Sequence, residues 1–430
     1  MKSGSLRSGR AVALTITLGA CLLLSACTDP AGARTADRVQ VRTPLAAVVT
    51  HRLDAALADA VKLSGASGAI AGVWAPWAGE WNVSRGTTTL GGSTPVTTDM
   101  RFRIGTNTTA MTCTVLLRLV DAGRGKLDDL AAAYLARSAG LDGITLGQLC
   151  RNTSGLADDT RMLAPEFVSN PTREWPRMEI ISSGLAATRA THPGGAWAPS
   201  KTGIMLLGKA LQAATGQDWP SLYRQYIFGP LGMDDTSLPA SNELKIPGPH
   251  PHGYAAAIDS AGHPVCTIVR DDTQLSNSMS WVAGGAVSTL ADLKTWAQAL
   301  VAGSLLSAAS TEAQWVTVPQ GAASPLWRRY GLGAQQLGSL RGQAGAIPGF
   351  LSATLSDPTS GLTVVVMLNN STAGEGFALT VARRLATIAA KSPSAGAAAT
   401  PRIELPWSEA QTVASMKAGA VCQPPQKAAG

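Results

Sequence analysis

Charge is scarce in this chain of 430 residues: Asp, Glu, Lys and Arg together make up 15%, against 45% apolar residues. That balance excludes a polypeptide disordered over most of its length, because it leaves ample apolar side chain to bury. The 35 Lys+Arg and 28 Asp+Glu give a net charge of +7, yet no basic run interleaved with aromatic residues occurs, so nucleic-acid binding has no support. The apolar run Ala11–Ala26 is shorter than the ~20 residues that a membrane-spanning helix needs. Cysteines number 6 and histidines 5, with no CxxC pair and no Cys/His cluster, so no metal centre or other cofactor is indicated.

What the N-terminus does carry is Lys2, Arg7 and Arg10 ahead of that apolar run, with no acidic residue before Asp29. The run closes on Leu24-Ser25-Ala26-Cys27, which resembles a bacterial lipobox. Leu18-Gly19-Ala20-Cys21 fits the same box, but cleavage there would leave Leu22-Leu23-Leu24 near the new N-terminus, whereas Cys27 is followed by polar Thr28-Asp29-Pro30. The expectation is a signal peptide over 1–26, lipidation of Cys27, a polar tether over 27–43, and attachment to the outer face of the cytoplasmic membrane through the lipid. Export makes Cys113, Cys150, Cys266 and Cys422 an even set in an oxidising compartment, where disulfides persist.

Beyond the tether, Leu45, Val49, Leu53 and Leu57 recur on one helical face to about Leu63. Gly68 to Ala75 and Glu80 to Thr87 read as two strands. A buried helix is expected just after Gly105, carrying Met111, Val115, Leu116, Leu119 and Val120 and closing at Asp121-Ala122-Gly123. The middle, about 126 to 275, reads as mostly helix and loop, clearest at Leu146 to Cys150 and Ile204 to Ala214. Extended runs return at Tyr330 to Gln335, Phe350 to Leu355 and Leu362 to Leu368, then an amphipathic helix over Phe377 to Ala390. An Ala/Ser/Pro/Gly linker, Lys391 to Thr400, leads to a C-terminal segment, Ile403 to Val421, that reads equally as a docking piece or as a part packed on the domain. Strands split around a helical insert predict an α+β architecture, an antiparallel sheet packed between helices with an all-helical lobe at about 107–275.

Several strings in this order resemble the serine beta-lactamase and D-alanyl-D-alanine carboxypeptidase family, in particular its class C, penicillin-binding-protein-like branch. They are Phe102-Arg103-Ile104-Gly105, Leu116-Leu117-Arg118-Leu119-Val120-Asp121-Ala122-Gly123, Asn152-Thr153-Ser154-Gly155-Leu156, Pro230-Leu231-Gly232-Met233 and Ala283-Gly284-Gly285-Ala286-Val287. The resemblance spans about 44–390 and implies the beta-lactamase/transpeptidase-like fold. It also implies three motifs around one cleft. In S-x-x-K, a serine attacks a carbonyl and a lysine one turn on takes its proton. Those positions here are Thr106-Asn107-Thr108-Thr109. The Y-x-N positions fall on Pro199-Ser200-Lys201, and the K/H-T-G positions on Gln343-Ala344-Gly345, followed by Ala346. A literal Lys201-Thr202-Gly203 lies in the frame of the second motif ahead of a helical run and reads as accidental.

Loss of a positioned base costs ~10² to 10⁴ in rate, and groups that act as a unit fail together. The leading expectation is therefore a catalytically silent lipoprotein whose cleft, with Gln343, Gly345 and Ala346 as substrate-binding positions, holds a peptidoglycan peptide, another small peptide or ester, or a partner. The rival is an amide or ester hydrolase that uses Thr106 as nucleophile, with Lys201 moved toward the space that Thr109 vacates. His192 reads as structural rather than as an alternative base, Asp158 and Asp159 as capping or water-facing, and the tryptophans as core or cleft wall rather than a ligand cage, with Trp197 alone placed near the cleft. By resemblance to some class A beta-lactamases, Cys113 on the cleft helix pairs with Cys150, which leaves Cys266 and Cys422.

Overall fold

The computed structural model describes residues 41–423 apart from positions 137, 260, 262, 397 and 398. The expected signal peptide and Cys27 lie outside the described residues.

The first helix, α1 (Ala47–Ser64), buries Val49, Leu53 and Leu57, the stripe legible in the sequence, and ends at Gly65 in a left-handed conformation (φ 67°). Strands β1 (Gly68–Ala75) and β2 (Gly79–Gly86) follow as an antiparallel pair. Short β3 (Phe102–Arg103) pairs with β6 (Val287–Ser288), and β4 (Tyr254–Ile258) with β5 (Pro264–Asp271). The remaining strands are β7 (Val318–Pro319), β8 (Arg328–Tyr330), β9 (Gln335–Leu337), β10 (Leu340–Ile347), β11 (Phe350–Ser356) and β12 (Thr363–Leu368). They join β1 and β2 in an 8-stranded sheet of order β2-β1-β12-β11-β10-β9-β8-β7, antiparallel throughout.

Both faces of this sheet are covered. Val364, Val366 and Leu368 of β12 pack with α1 and with α6 (Gly374–Ala389), while Val365 and Met367 point into the second core, shared with α2 (Asn107–Asp121) and α5 (Leu290–Ala302). A strand buried on both faces reads as an unbroken apolar run rather than an alternation, which is why it was legible in the sequence. The second core continues into the helical lobe, which includes α3 (Leu146–Arg151) and α4 (Lys201–Thr215).

Two expectations need correction. The extended run Tyr330 to Gln335 is two strands, β8 and β9, because the chain turns between them, with Gly333 at φ 80°. The β4–β5 hairpin interrupts what was read as helix and loop; β5 is largely exposed, so it lacks the apolar alternation that would announce it. The C-terminal segment packs on the domain. Trp407 and Met416 are buried, the Trp407 indole donates to Thr387 Oγ1 at 2.9 Å, and Arg383 lies 4.9 Å from the Trp327 ring centroid and 4.3 Å from that of Trp407. The last described helix, α7 (Glu409–Ala418), rests on α6.

Both disulfides are formed. Cys113–Cys150 joins α2 to α3 with Cα atoms 5.8 Å apart, and Cys266–Cys422 ties β5 to the tail after α7 with Cα atoms 5.1 Å apart.

Candidate functional site

The N-terminus of α2 is held against the sheet by a buried polar cluster. Asn107 Nδ2 donates to Ser352 Oγ at 2.7 Å, Asn107 Oδ1 accepts from Thr354 Oγ1 at 2.9 Å, and Ser352 Oγ donates to Ile104 O at 2.7 Å. Beside it, β10 pairs with β9 only as far as Gly342, and its next residues run against the start of α2. Glycine is required at this approach. A Cβ on Gly345 would lie 2.2 Å from Ile104 O and 2.6 Å from Thr106 N, and one on Gly105 would lie 2.7 Å from Ala346 N. The backbones of Thr106 and Ala346 thus meet at one corner, with the donors of a helix N-terminus near it.

That corner opens into a cleft of about 240 Å³ whose lining includes Thr106, Thr109, Asn152, Lys201, Tyr330 and Glu375. Thr106 and Lys201, from different motifs, therefore share one cavity. The Thr106 hydroxyl donates to Glu375 Oε2 at 3.4 Å, a long hydrogen bond. Glu375 stands at the rim with part of its surface open to solvent, but its carboxyl is crowded by protein atoms, and this desolvation holds it above the usual carboxylate range against the pull of Lys201. Lys201 itself makes no hydrogen bond and no ion pair among the described residues; it acts on Glu375 and Asp159 through its field.

Each substituted motif position has acquired its own neighbours. Thr109, where the family's lysine would stand, is buried and donates to Ala283 O at 3.1 Å. Pro199 lines the cleft with no acid–base group. Gln343 was expected to meet substrate, but it is buried outside the cleft lining. Its Nε2 donates to Tyr330 Oη at 3.1 Å and Gly333 O at 3.0 Å, and its Oε1 accepts from Gln335 Nε2 at 2.8 Å. Gln335 Oε1 in turn accepts from Gln320 Nε2 at 3.1 Å, so a chain of carboxamides stands where the family directs a basic side chain at its ligand. Gly345 shapes the backbone, and Ala346 lines the cleft. The literal Lys201-Thr202-Gly203 begins α4, not a strand, capped by Ser200 Oγ, which accepts from Gly203 N at 3.1 Å.

The acids differ from expectation. Asp158 does cap, accepting from Thr160 N at 3.0 Å, and it also lines the cleft. Asp159 neither caps by its side chain nor faces water. It is fully buried, Oδ1 accepts from Thr202 Oγ1 at 3.1 Å, Oδ2 has no partner, and burial together with the charge of Asp158 pushes its carboxyl up to about 6. His192 is exposed and stands outside the cleft lining, beside Pro193 O at 3.0 Å. Trp197 packs on Tyr330 with ring centroids 5.6 Å apart, behind that cleft residue and outside the cleft lining itself.

Two cleft residues escaped the sequence reading. Tyr330 enters from β8, and burial drives its hydroxyl well above the ordinary tyrosine range. Glu375 lies in the first turn of α6, where a lone acid reads as a helix-dipole partner and nothing more. Its one distinguishing signal was a carboxylate a short turn after the largely apolar strand β12 in a chain poor in charge. Among the described residues no three His, Cys, Asp or Glu side chains converge as a metal site. Chemically, the cleft can hold a polar ligand by hydrogen bonds and charge, and it places one hydroxyl beside one carboxylate.

Comparison with known proteins agrees with this geometry. The beta-lactamase family model matches residues 48–388. Penicillin-binding protein 4 of Amycolatopsis lactamdurans is 28% identical over 156 residues, 35% of this chain and 39% of that protein. The D-alanyl-D-alanine-carboxypeptidase/endopeptidase AmpH of Escherichia coli (strain K12) is 30% identical over 224 residues, 50% of this chain and 52% of that protein. The chain thus spans about half or less of the length of these curated relatives. Among solved structures, a D-stereospecific amidohydrolase from Streptomyces sp. superposes with TM-score 0.66 at 27% identity, covering 76% of this chain and 95% of that one. The D-amino acid amidase from Ochrobactrum anthropi SV3 gives TM-score 0.64 at 25% identity, covering 75% and 91%. With the family model covering most of its length, the chain belongs to the beta-lactamase family.

Proposed function

We propose that this chain is a cell-envelope lipoprotein, anchored through Cys27 to the outer face of the cytoplasmic membrane, whose beta-lactamase-fold cleft binds a ligand built on D-amino-acid amides or peptides without forming an acyl-enzyme. One observation carries the silence: the residues at the lysine and basic-residue positions, Thr109 and Gln343, spend their polar groups on structural hydrogen bonds, and Pro199 has none to offer. A nucleophile needs a base within hydrogen-bond reach, and among the described residues the Thr106 hydroxyl bonds only a carboxylate, 3.4 Å away, a weak base for an alcohol. Binding survives such losses because it uses different groups from proton transfer. The choice of ligand rests on the relatives' names, which speak of D-amino acid amides and D-alanyl-D-alanine.

A second reading, an amide or ester hydrolase with Thr106 as nucleophile, is favoured by the shared cavity of Thr106, Lys201 and Glu375. Calorimetric titration of the full chain in detergent with D-amino acid amides and D-alanine-terminated peptides, with product followed over hours, separates the two. Saturable binding with no ammonia or D-alanine released is the expected outcome; steady release abolished in Thr106→Ala would establish the hydrolase instead.

A further inference from the structure

At the position where the resemblance puts a basic side chain for a substrate carboxylate, this cleft has none. The resemblance places a basic residue and a hydroxyl at 343 and 344, but Gln343 is consumed by Tyr330, Gly333 and Gln335, and Ala344 carries no hydroxyl. Glu375 comes into the same cleft instead, at hydrogen-bond distance from Thr106. The charged side chains that line the cleft are Lys201 against Asp158 and Glu375, one negative charge in excess when all are ionised. A carboxylate ligand would add to that excess, and a ligand cation would cancel it. The lining also includes Thr160, whose Oγ1 is buried and has no partner, a polar group that a bound ligand would satisfy.

A second cavity of about 330 Å³ adjoins the first, sharing Asp158 and Pro199 with it. Apart from Asp158 and Thr188 its wall is apolar, with Ala187, Ala190 and Ala198 beside the larger Leu156 and Met162. A molecule lying across Asp158 would have its charged end between Asp158 and Glu375 and an apolar side chain among the alanines.

Resting on the binding reading above, we infer that the cleft takes its ligand by a free amine, held by Glu375 and Asp158, with an apolar side chain in the alanine-walled cavity, and that it does not take a carboxylate terminus. Three probes separate the ends of the molecule: D-phenylalanine amide has an ammonium and no carboxylate, N-acetyl-D-phenylalanine the reverse, and N-acetyl-D-phenylalanine amide neither. Titrated into the full chain in detergent, D-phenylalanine amide should bind about 10-fold or more tighter than either acetylated compound, the scale of one charge-assisted contact. Glu375→Gln should reduce that preference to within about 3-fold, and Ala190→Phe should weaken D-phenylalanine amide but not glycinamide; thermal unfolding of both variants checks that they fold. Equal or tighter binding of N-acetyl-D-phenylalanine, or a Glu375→Gln variant that keeps the full preference, overturns the inference while leaving the binding reading intact. No binding by any probe overturns both.

Discussion

At the residue scale, Thr109 shows how a residue at the position of the family's lysine can become part of the cleft wall. A lysine at 109 would have to keep an ammonium in the cavity; threonine there closes on Ala283 O and becomes part of the wall. Asp159 shows the opposite, a carboxylate left buried with one oxygen unpartnered and its carboxyl pushed up to about 6. Since the unfolded chain titrates an aspartate near 4, the folded state holds the extra proton between about pH 4 and pH 6, and this group's contribution to stability falls as pH rises through that window. Asp159→Asn removes the titration while keeping an acceptor for Thr202. Urea unfolding at pH 4.5 and 7 should then show wild type losing about 2 kcal/mol relative to the variant on going to the higher pH; parallel profiles would contradict the burial argument. None of this could be read from Asp158-Asp159 in the sequence. The partner is Thr202, distant along the chain, and only the docking of α4 brings it to Asp159. Glu375 was hidden for the same reason.

At the scale of elements, α2 is the member on which the site depends, fixed at its start by Asn107, Ser352 and Thr354 and along its length by Cys113–Cys150. The bridge spans a sequence separation of 37, and the loop-entropy relation gives about 3–4 kcal/mol for a closure of that length. Replacing both cysteines by alanine should lower the urea unfolding free energy by that order, read against an alkylated-mass control that shows the bridge in wild type. A change below about 1 kcal/mol would mean that the packing of α2 on the sheet holds the cleft without it. Elements with a strong period or an unbroken apolar run, α1, β1, β11, β12 and α6, were legible because burial alone dictates their pattern. The exposed β5, and the turn that divides β8 from β9, carry no such pattern.

At the scale of the molecule, the resemblance reached the fold because its strings lie where backbone geometry is most constrained, at the approach of Gly105 to Ala346 and in the turn of Gly155. It reached the positions of Thr106, Lys201 and Ala346 in the cleft by the same route. It could not reach what the substitutions do, because the carboxamide chain of Gln320, Gln335 and Gln343 forms only when β9 and β10 align with the bend that follows β7. The C-terminal segment belongs to the same body, packed through Trp407 and Met416 and tied through Cys422. The scaffold thus surrounds a cleft in which Thr109 and Gln343 make structural hydrogen bonds, and we propose that it forms no acyl-enzyme. That claim is tested most directly by incubating the full chain with a fluorescent penicillin and measuring intact mass, beside Thr106→Ala. The account predicts no adduct on either protein after hours at high concentration. A penicilloyl adduct on the wild type that is missing from Thr106→Ala would contradict it.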